Sequence, residues 1–323
     1  MNNAAHSAVI DAGDCQTARE RYERLTREPN TPESWAGIAE ASAHGGGMVF
    51  SHVASRPALR EFVREYLIAH FRFDHQKPAA LKPYAPKPEQ GLTFFVRGRP
   101  TAVNPLTGHV QTASPVTIFG QQHQRWDVHL TSEFLMLRVR FQPGALFRLF
   151  GVPLYEFGES YFDAEPVLGA EVRDVSDRLS AAESYAEMLE LIEQYLASRV
   201  CKASKDVHPA DRVTAHLTAD PRNVSLDWLA REACLSLRQF NRKFTERMGV
   251  GPKLYGRLVR FQHACRLKSS HRTMAWPVVA IECGYADYQH MVKDFRYFTN
   301  ATPNVWLQED STSPEHVLSG DDT

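Results

Sequence analysis

A degenerate internal repeat between Leu226 and Trp306 constrains this chain more than any bulk property does. Shifting the sequence by 51 residues lays Ser236 on Asp287, Phe240 on Met291, Phe244 on Phe295, Gly249 on Asn300 and Pro252 on Pro303. The paired residues share their physics. Ser236 and Asp287 are both good N-caps, able to accept from the orphan N–H groups of a first helical turn. Phe240, Phe244 and Met248 recur every fourth residue. So do Met291 and Phe295, with Phe298 three further on, and each helix gains one apolar stripe. Gly249 and Asn300 suit a left-handed C-terminal cap, and Pro252 suits the first position of a following helix.

A shorter helix precedes each of these. In the first unit Ser225 caps Leu226 to Cys234, and the turn is Cys234-Leu235-Ser236. In the second, Trp276 and Pro277 open a helix that ends at Cys283-Gly284, and the turn runs on through Tyr285 and Ala286 to Asp287. Ala230 and Ala280 are small residues where two helices can cross closely. Helix, tight turn, helix is the arrangement that lays a second helix in a DNA major groove. The faces left over for the groove carry Arg238, Gln239, Asn241 and Arg242 in the first unit, and Tyr288, Gln289, His290 and Lys293 in the second. Arg and Lys can donate to guanine, and Gln can pair bidentately with adenine. Each residue alone also reads as an ordinary solvated helix position. The repeat and the local excess of positive charge tip the reading toward DNA. The joining helix, from Pro252 to about Leu267 or Lys268, is about 25 Å long, a strut suited to holding two reading heads about one DNA turn apart. Leu254, Leu258, Phe261 and Cys265 form its expected buried side, with Arg257 and Arg260 solvated or near phosphate.

The run from Trp228 to Pro303 resembles the DNA-binding domain of the AraC/XylS transcriptional regulators. The matching stretches are LAREACLSLRQFNRKFTERMGVGPKLYGRLVRFQHACRL and WPVVAIECGYADYQHMVKDFRYFTNATP. Ala280, Gly284, Tyr285, Asp287, Phe295 and the closing Thr302-Pro303 make the second the more specific. The resemblance implies a seven-helix domain whose two recognition helices enter successive major grooves on one face of the duplex. It implies a cytoplasmic, bacterial-type regulator with double-stranded DNA as its partner and RNA polymerase as a second partner if it is an activator. Two positions depart from the family pattern: Cys234 and Asn300 stand where Gly is usual.

A chain of 323 residues is expected to hold two domains. No run approaches eighteen apolar residues, and no basic region precedes an apolar core at the N-terminus, so neither a membrane span nor a secretion signal is expected. The five cysteines lack close paired spacing and read as reduced thiols, without a metal or disulfide role. Lys and Arg number 37 against 38 Asp and Glu overall, but the basic residues are in excess within 206–308, an asymmetry typical of nucleic-acid binders.

The expected fold class is α+β, with a small barrel- or sandwich-like β domain and helices before an all-α double helix-turn-helix domain. Residues 1–60 read as an extension, with a charged helix at Ala18 to Arg27 and a helix start at Asn30-Thr31-Pro32-Glu33. Residues 61–165 read as a β-rich sensor domain, with strands at Tyr66–Phe73, Leu92–Arg97, Val116–Phe119, Trp126–Leu130 and Phe134–Phe141. Pro and Gly clusters such as Lys82–Gly91 separate them. Residues 166–205 read as helices that pack on the β domain or support a homodimer, residues 206–308 as the DNA-binding domain, and 309–323 as an acidic tail. Phe94, Phe95, Phe119 and Trp126 are candidate lining for a small-molecule effector pocket, although barrel interiors are normally filled by side chains.

His123 and His129 flank Trp126, but no matched set at ligand spacing accompanies them, so neither a metal nor a cofactor is expected. Without a phosphate loop, nucleophile elbow or paired carboxylates, an enzyme is not expected either. The rival reading is a methyl-accepting DNA-repair protein with the same helix-turn-helix domain. Its zinc-binding cysteines have no counterpart here, since only Cys15 and Cys201 precede the domain.

Overall fold

The computed structural model describes residues 48–73, 81–158, 161–203, 207–219, 222 and 225–314, together with Trp35. The helices expected between Ala18 and Glu33 and most of the acidic tail lie outside the described residues.

The N-terminal part is a sandwich of two antiparallel sheets, as the short strands and turn clusters foretell. The larger sheet has the order β1-β2-β9-β4-β7-β10, with β1 Val49–Val53, β2 Val63–Arg72, β4 Gly91–Arg97, β7 Val116–Phe119, β9 Glu133–Phe141 and β10 Phe162–Asp163. The smaller has the order β3-β8-β5-β6, with β3 Leu81–Tyr84, β5 Thr101–Val103, β6 Val110–Thr112 and β8 Trp126–His129. Because β1 pairs with β2 along its whole length, the β domain begins before residue 61. The stretch read as a turn cluster at Lys82 contains β3. Its Pro83 is tolerated because β3 is an edge strand, paired only with β8.

Helices cover the outer face of the larger sheet: α1 (Ala145–Phe150), α2 (Glu165–Leu168), α3 (Glu171–Ala181) and α4 (Tyr185–Lys202). Ser184 caps α4 by accepting from the Glu187 amide. Val172, Val175, Leu179, Met188, Ile192, Tyr195 and Leu196 all join one core with Ile68, Phe94, Leu135, Leu137 and Val139 of the sheet. The expected apolar faces of α3 and α4 are thus used in packing within the chain. Both faces of β9 are buried. Leu135, Leu137 and Val139 face the helices, while Phe134 and Met136 belong to a second cluster between the sheets. Such a strand reads as a continuous apolar run rather than an alternation.

Seven helices form the C-terminal part of the described residues: α5 (Pro209–Ala219), α6 (Leu226–Glu232), α7 (Leu237–Met248), α8 (Pro252–Ser270), α9 (Trp276–Glu282), α10 (Tyr288–Thr299) and α11 (Pro303–Ser311). They hold two apolar cores. Leu229, Ala230, Phe240, Phe244 and Met248 pack with Tyr255 and Val259 in the first. Val279, Ala280, Met291, Phe295 and Phe298 pack with Leu258, Phe261 and Ala264 in the second. The 19-residue α8 therefore serves both cores, one from each side. No helix among the described residues is long and apolar enough to cross a membrane.

Candidate DNA-binding interface

Each of the two units is a short helix, a left-handed turn and a longer helix. In the first, Leu235 N–H donates to the Ala230 carbonyl, and in the second Tyr285 N–H donates to Ala280, both at 2.9 Å. The turns hinge on Cys234 at φ 53° and Gly284 at φ 79°. Ala230 and Ala280 are buried at the crossings. Ser236 caps α7 in a full capping box with Gln239, and Asp287 caps α10 by accepting from His290 N–H at 2.7 Å. At the far ends Gly249 (φ 84°) and Asn300 (φ 58°) close the helices in the left-handed region, the two positions the repeat pairs. Phe295 is wholly buried, and Pro303 opens α11.

Of the residues expected to read DNA, Arg238, Gln239, Arg242, Gln289, His290 and Lys293 are exposed, while Asn241 and Tyr288 are half-buried. Two are committed to their own helix. Gln239 Oε1 accepts from Ser236 N–H and Oγ–H, and Asn241 Nδ2 donates to the Leu237 carbonyl at 2.8 Å. Tyr288 packs against the second core. Arg296 and Tyr297 are also exposed on α10. They extend the face of Lys293 by one turn, which their spacing of three and four residues from Lys293 could have shown.

Arg257 and Arg260 differ from expectation. Both are half-buried and point from the strut into the second unit. Arg257 Nε donates to Asp294 at 2.9 Å and its guanidinium lies 4.5 Å from the Tyr297 ring. Arg260 reaches the Gly284 carbonyl and lies over the Tyr285 ring. Burial and the Asp294 charge push the Tyr285 phenol well above its ordinary value. Cys265 and Cys283 are likewise pushed up by burial, Cys283 to about 11, so both stay thiols at neutral pH.

The N-terminal domain grips both recognition helices at their C-terminal ends, using the loop between β7 and β8 and the turn at Leu154–Phe157. Gly249, at the end of α7, approaches the Leu154 carbonyl and the Gln121 amide so closely that an added Cβ would lie 3.2 and 3.4 Å from them. At the end of α10, His123 stacks on Tyr297 with ring centroids 6.2 Å apart. Arg125 binds Asp127 and Glu309 and lies over the Trp306 ring. Burial lowers the His123 pKa. His129 is exposed on β8. Behind α7, the buried Arg247 pairs with Asp211 of α5 and lies over the Phe147 ring of α1.

Between the sheets lies a chamber lined by Leu67, Phe71, Phe95, Val128, Phe134 and Met136, with Lys82, Lys87, Arg138 and Arg140 at one end. Its open volume is about 60 Å³. Of the aromatic residues expected to line a pocket, Phe95 does so. Phe94 faces the helix-covered core, and Phe119 and Trp126 pack with Tyr161 in a separate cluster. Glu89 is held at the cationic end by Arg138 and Arg140 at 3.3 and 2.8 Å. Burial alone would raise its pKa, yet the two guanidiniums outweigh it and bring the carboxyl to about 2.

Residues 229–309 match the family model of a helix-turn-helix domain, and residues 51–163 match that of a domain of unknown function, DUF6597. No curated protein sequence matches the chain significantly. Among solved structures the chain is similar to ToxT from Vibrio cholerae O395, at 14% identity over 77% of this chain and 98% of that one, with a TM-score of 0.41. It is similar to ToxT from Vibrio cholerae strain SCE256 with a bound unsaturated fatty acid, at 13% identity over 75% and 94%, TM-score 0.41. The AraC-like transcriptional activator CuxR is similar at 11% identity over 81% and 91%, TM-score 0.18. Likeness at this level carries no ligand and no residue role across to this chain.

Proposed function

We propose that this chain, whose C-terminal part is a double helix-turn-helix domain of the AraC/XylS type, is a sequence-specific DNA-binding transcriptional regulator. One observation carries the reading. Two recognition helices, each with an exposed polar and basic face, are mounted on the 19-residue strut α8. At 1.5 Å per residue that strut is about 28 Å long, close to the spacing of successive major grooves. In this reading Arg238 and Arg242 serve the first groove, and Gln289, His290, Lys293 and Arg296 the second. The test is capture of genomic fragments by the full-length protein at physiological salt, followed by footprinting. A protected site of about two helical turns per subunit is expected. Weak, sequence-blind binding lost with modest salt would sink the reading.

We further infer that the N-terminal domain controls the reading heads through the chamber. Its walls are apolar and its one charged end is cationic, a combination suited to a ligand with an apolar body and an anionic group. Entry requires the walls to part, and Met136 and the aromatic side chains would have to repack. Val128 of β8 is in the wall, and the loop before β8 is the one that touches α7 and α10. Repacking at the wall therefore has a short covalent route to both recognition helices. Titration with a medium-chain fatty acid and with the alcohol of equal length tests this. The acid should bind and shift the footprint while the alcohol does not; equal binding of both would remove the role given to the cations.

A further inference from the structure

A second cleft, separate from the chamber, lies at the junction of the domains. Arg64 of β2, Gln90 and Gln142 line it from the N-terminal side, and Thr218 of α5, Tyr255 and Arg266 of α8 from the C-terminal side. It has a volume of about 290 Å³. Its two guanidiniums come from different domains and make no ion pair among the described residues. The carboxylate in its wall, Glu89, is already held by Arg138 and Arg140. Gln90 is buried at 5% exposure, and its Oε1 has no hydrogen-bond partner. Its Nε2 donates to Met248 Sδ at 3.6 Å. Burial, and then the charge of Arg64, depress the Arg266 pKa below the ordinary arginine value. Two exposed like charges therefore line one cleft, with Glu89 the carboxylate in its wall.

We propose that this cleft binds a compact multivalent oxyanion, of phosphate or polycarboxylate type, which bridges Arg64 and Arg266. The chemistry follows from the donors. Guanidinium forks favour planar or tetrahedral oxyanions and engage them bidentately. The Thr218 hydroxyl already donates to the Thr214 carbonyl and Gln142 Nε2 to the Arg60 carbonyl, so the two guanidiniums are the principal donors. The lining is mixed, with Pro88, Phe141, Pro143 and Ala215 beside the polar groups, and it is the two guanidiniums from different domains that set this site apart from the chamber. A bound anion replaces repulsion between the domains by two attractions and ties β2 to the strut.

Thermal unfolding of the full-length protein tests this without DNA, so its failure is distinct from failure of the regulator reading. Inorganic phosphate and citrate are titrated against sodium chloride at matched ionic strength. A saturable rise in midpoint is expected with at least one of the two, as ligand linkage requires. Arg64→Ala and Arg266→Ala should each weaken the apparent affinity by tenfold or more, and Arg266→Lys should retain part of it. In chloride alone, neither alanine variant should melt below the parent, because each removes one member of a repelling pair. A rise equal in parent and variants would mean a general solute effect and overturn the proposal. So would the absence of any rise. A third overturning result is Arg64→Ala or Arg266→Ala lowering the salt slope of duplex binding by about one, which would make the partner a DNA phosphate.

Discussion

The two helix-turn-helix units share a backbone and differ in what their polar faces do. Both have a buried alanine at the crossing, a left-handed turn, a side-chain N-cap and a left-handed C-terminal cap. In the first unit, however, two of the four polar residues on the reading face bond back to their own helix, Gln239 to the cap and Asn241 to Leu237. In the second, the cap is a carboxylate that acts alone, and Gln289, His290, Lys293 and Arg296 stay exposed. The repeat thus conserves the frame and not the reader. The first unit is left with two arginines, a set suited to guanine or phosphate, whereas the second presents a mixed donor and acceptor set that can distinguish more bases.

The cores test whether the units are separable. Phe244 and Phe295 are repeat partners, both fully buried, in different clusters. Replacing either by Ala should cost about 3–5 kcal/mol of stability. Footprinting below the new melting temperature should then show Phe244→Ala losing one half of the protected site and Phe295→Ala the other. If each variant erased both halves, the strut would be coupling the cores into one cooperative body.

Ion pairs sharpen the contrast. Arg247 and Asp211 brace the first unit with side chains 5% and 4% exposed, while Arg257, bracing the second through Asp294, is 30% exposed. Arg247→Ala strands a carboxylate in a buried site and should cost about 3–5 kcal/mol. Arg257→Ala should cost less, since removing the 30% exposed guanidinium opens a path for solvent to the otherwise buried Asp294. Denaturant midpoints at constant slope decide it, and a reversed order would contradict the burial argument.

The reading faces give the third test. Gln289→Ala should cost about 1–3 kcal/mol of binding to the preferred site and relax one base position. Gln239→Ala should instead cost about 0.5–1 kcal/mol of stability, by losing half of the capping box, with little change in the sequence preferred. Selection of bound sequences from a random pool, run beside melting curves, would separate the two. A change of preferred base in Gln239→Ala would show that its cap is released on DNA.

How much of this could be read beforehand depended on the range of the interactions. Helix stripes, caps and turns are local, and the residues from Ser225 to Pro303 announce them. Arg257 and Arg260 were expected to be solvated because their partners, Asp294 and the Gly284 carbonyl, lie 37 and 24 residues away. Gln239 and Asn241 could not be told from readers by periodicity, since capping and groove contact use the same side chains. In the sandwich, burial on both faces removes the alternation that marks a strand. Phe94 and Phe95 show the consequence. Adjacent residues on a strand point to opposite faces, and only the pairing of β4 with β9 decides which meets the chamber. β3 was hidden by its proline, and β5, β6 and β10 by being three residues or fewer.

The smallest effect returns to the turns. Gly284 suits its left-handed backbone, and an added Cβ would also meet Arg222 at 2.8 Å, so the glycine is required twice over. Cys234 occupies the equivalent place at φ 53° with a side chain, which the left-handed region penalises by about 1–2 kcal/mol. Cys234→Gly removes that strain, but it also frees the unfolded chain, which offsets part of the gain. The net expectation is about 0.5–1 kcal/mol of added stability, read as a raised denaturant midpoint, with the duplex footprint unchanged. Gly284→Ala should move the other way. Were Cys234→Gly to lower stability, the exposed thiol would have to make a stabilising contact, and the two turns would differ in more than strain.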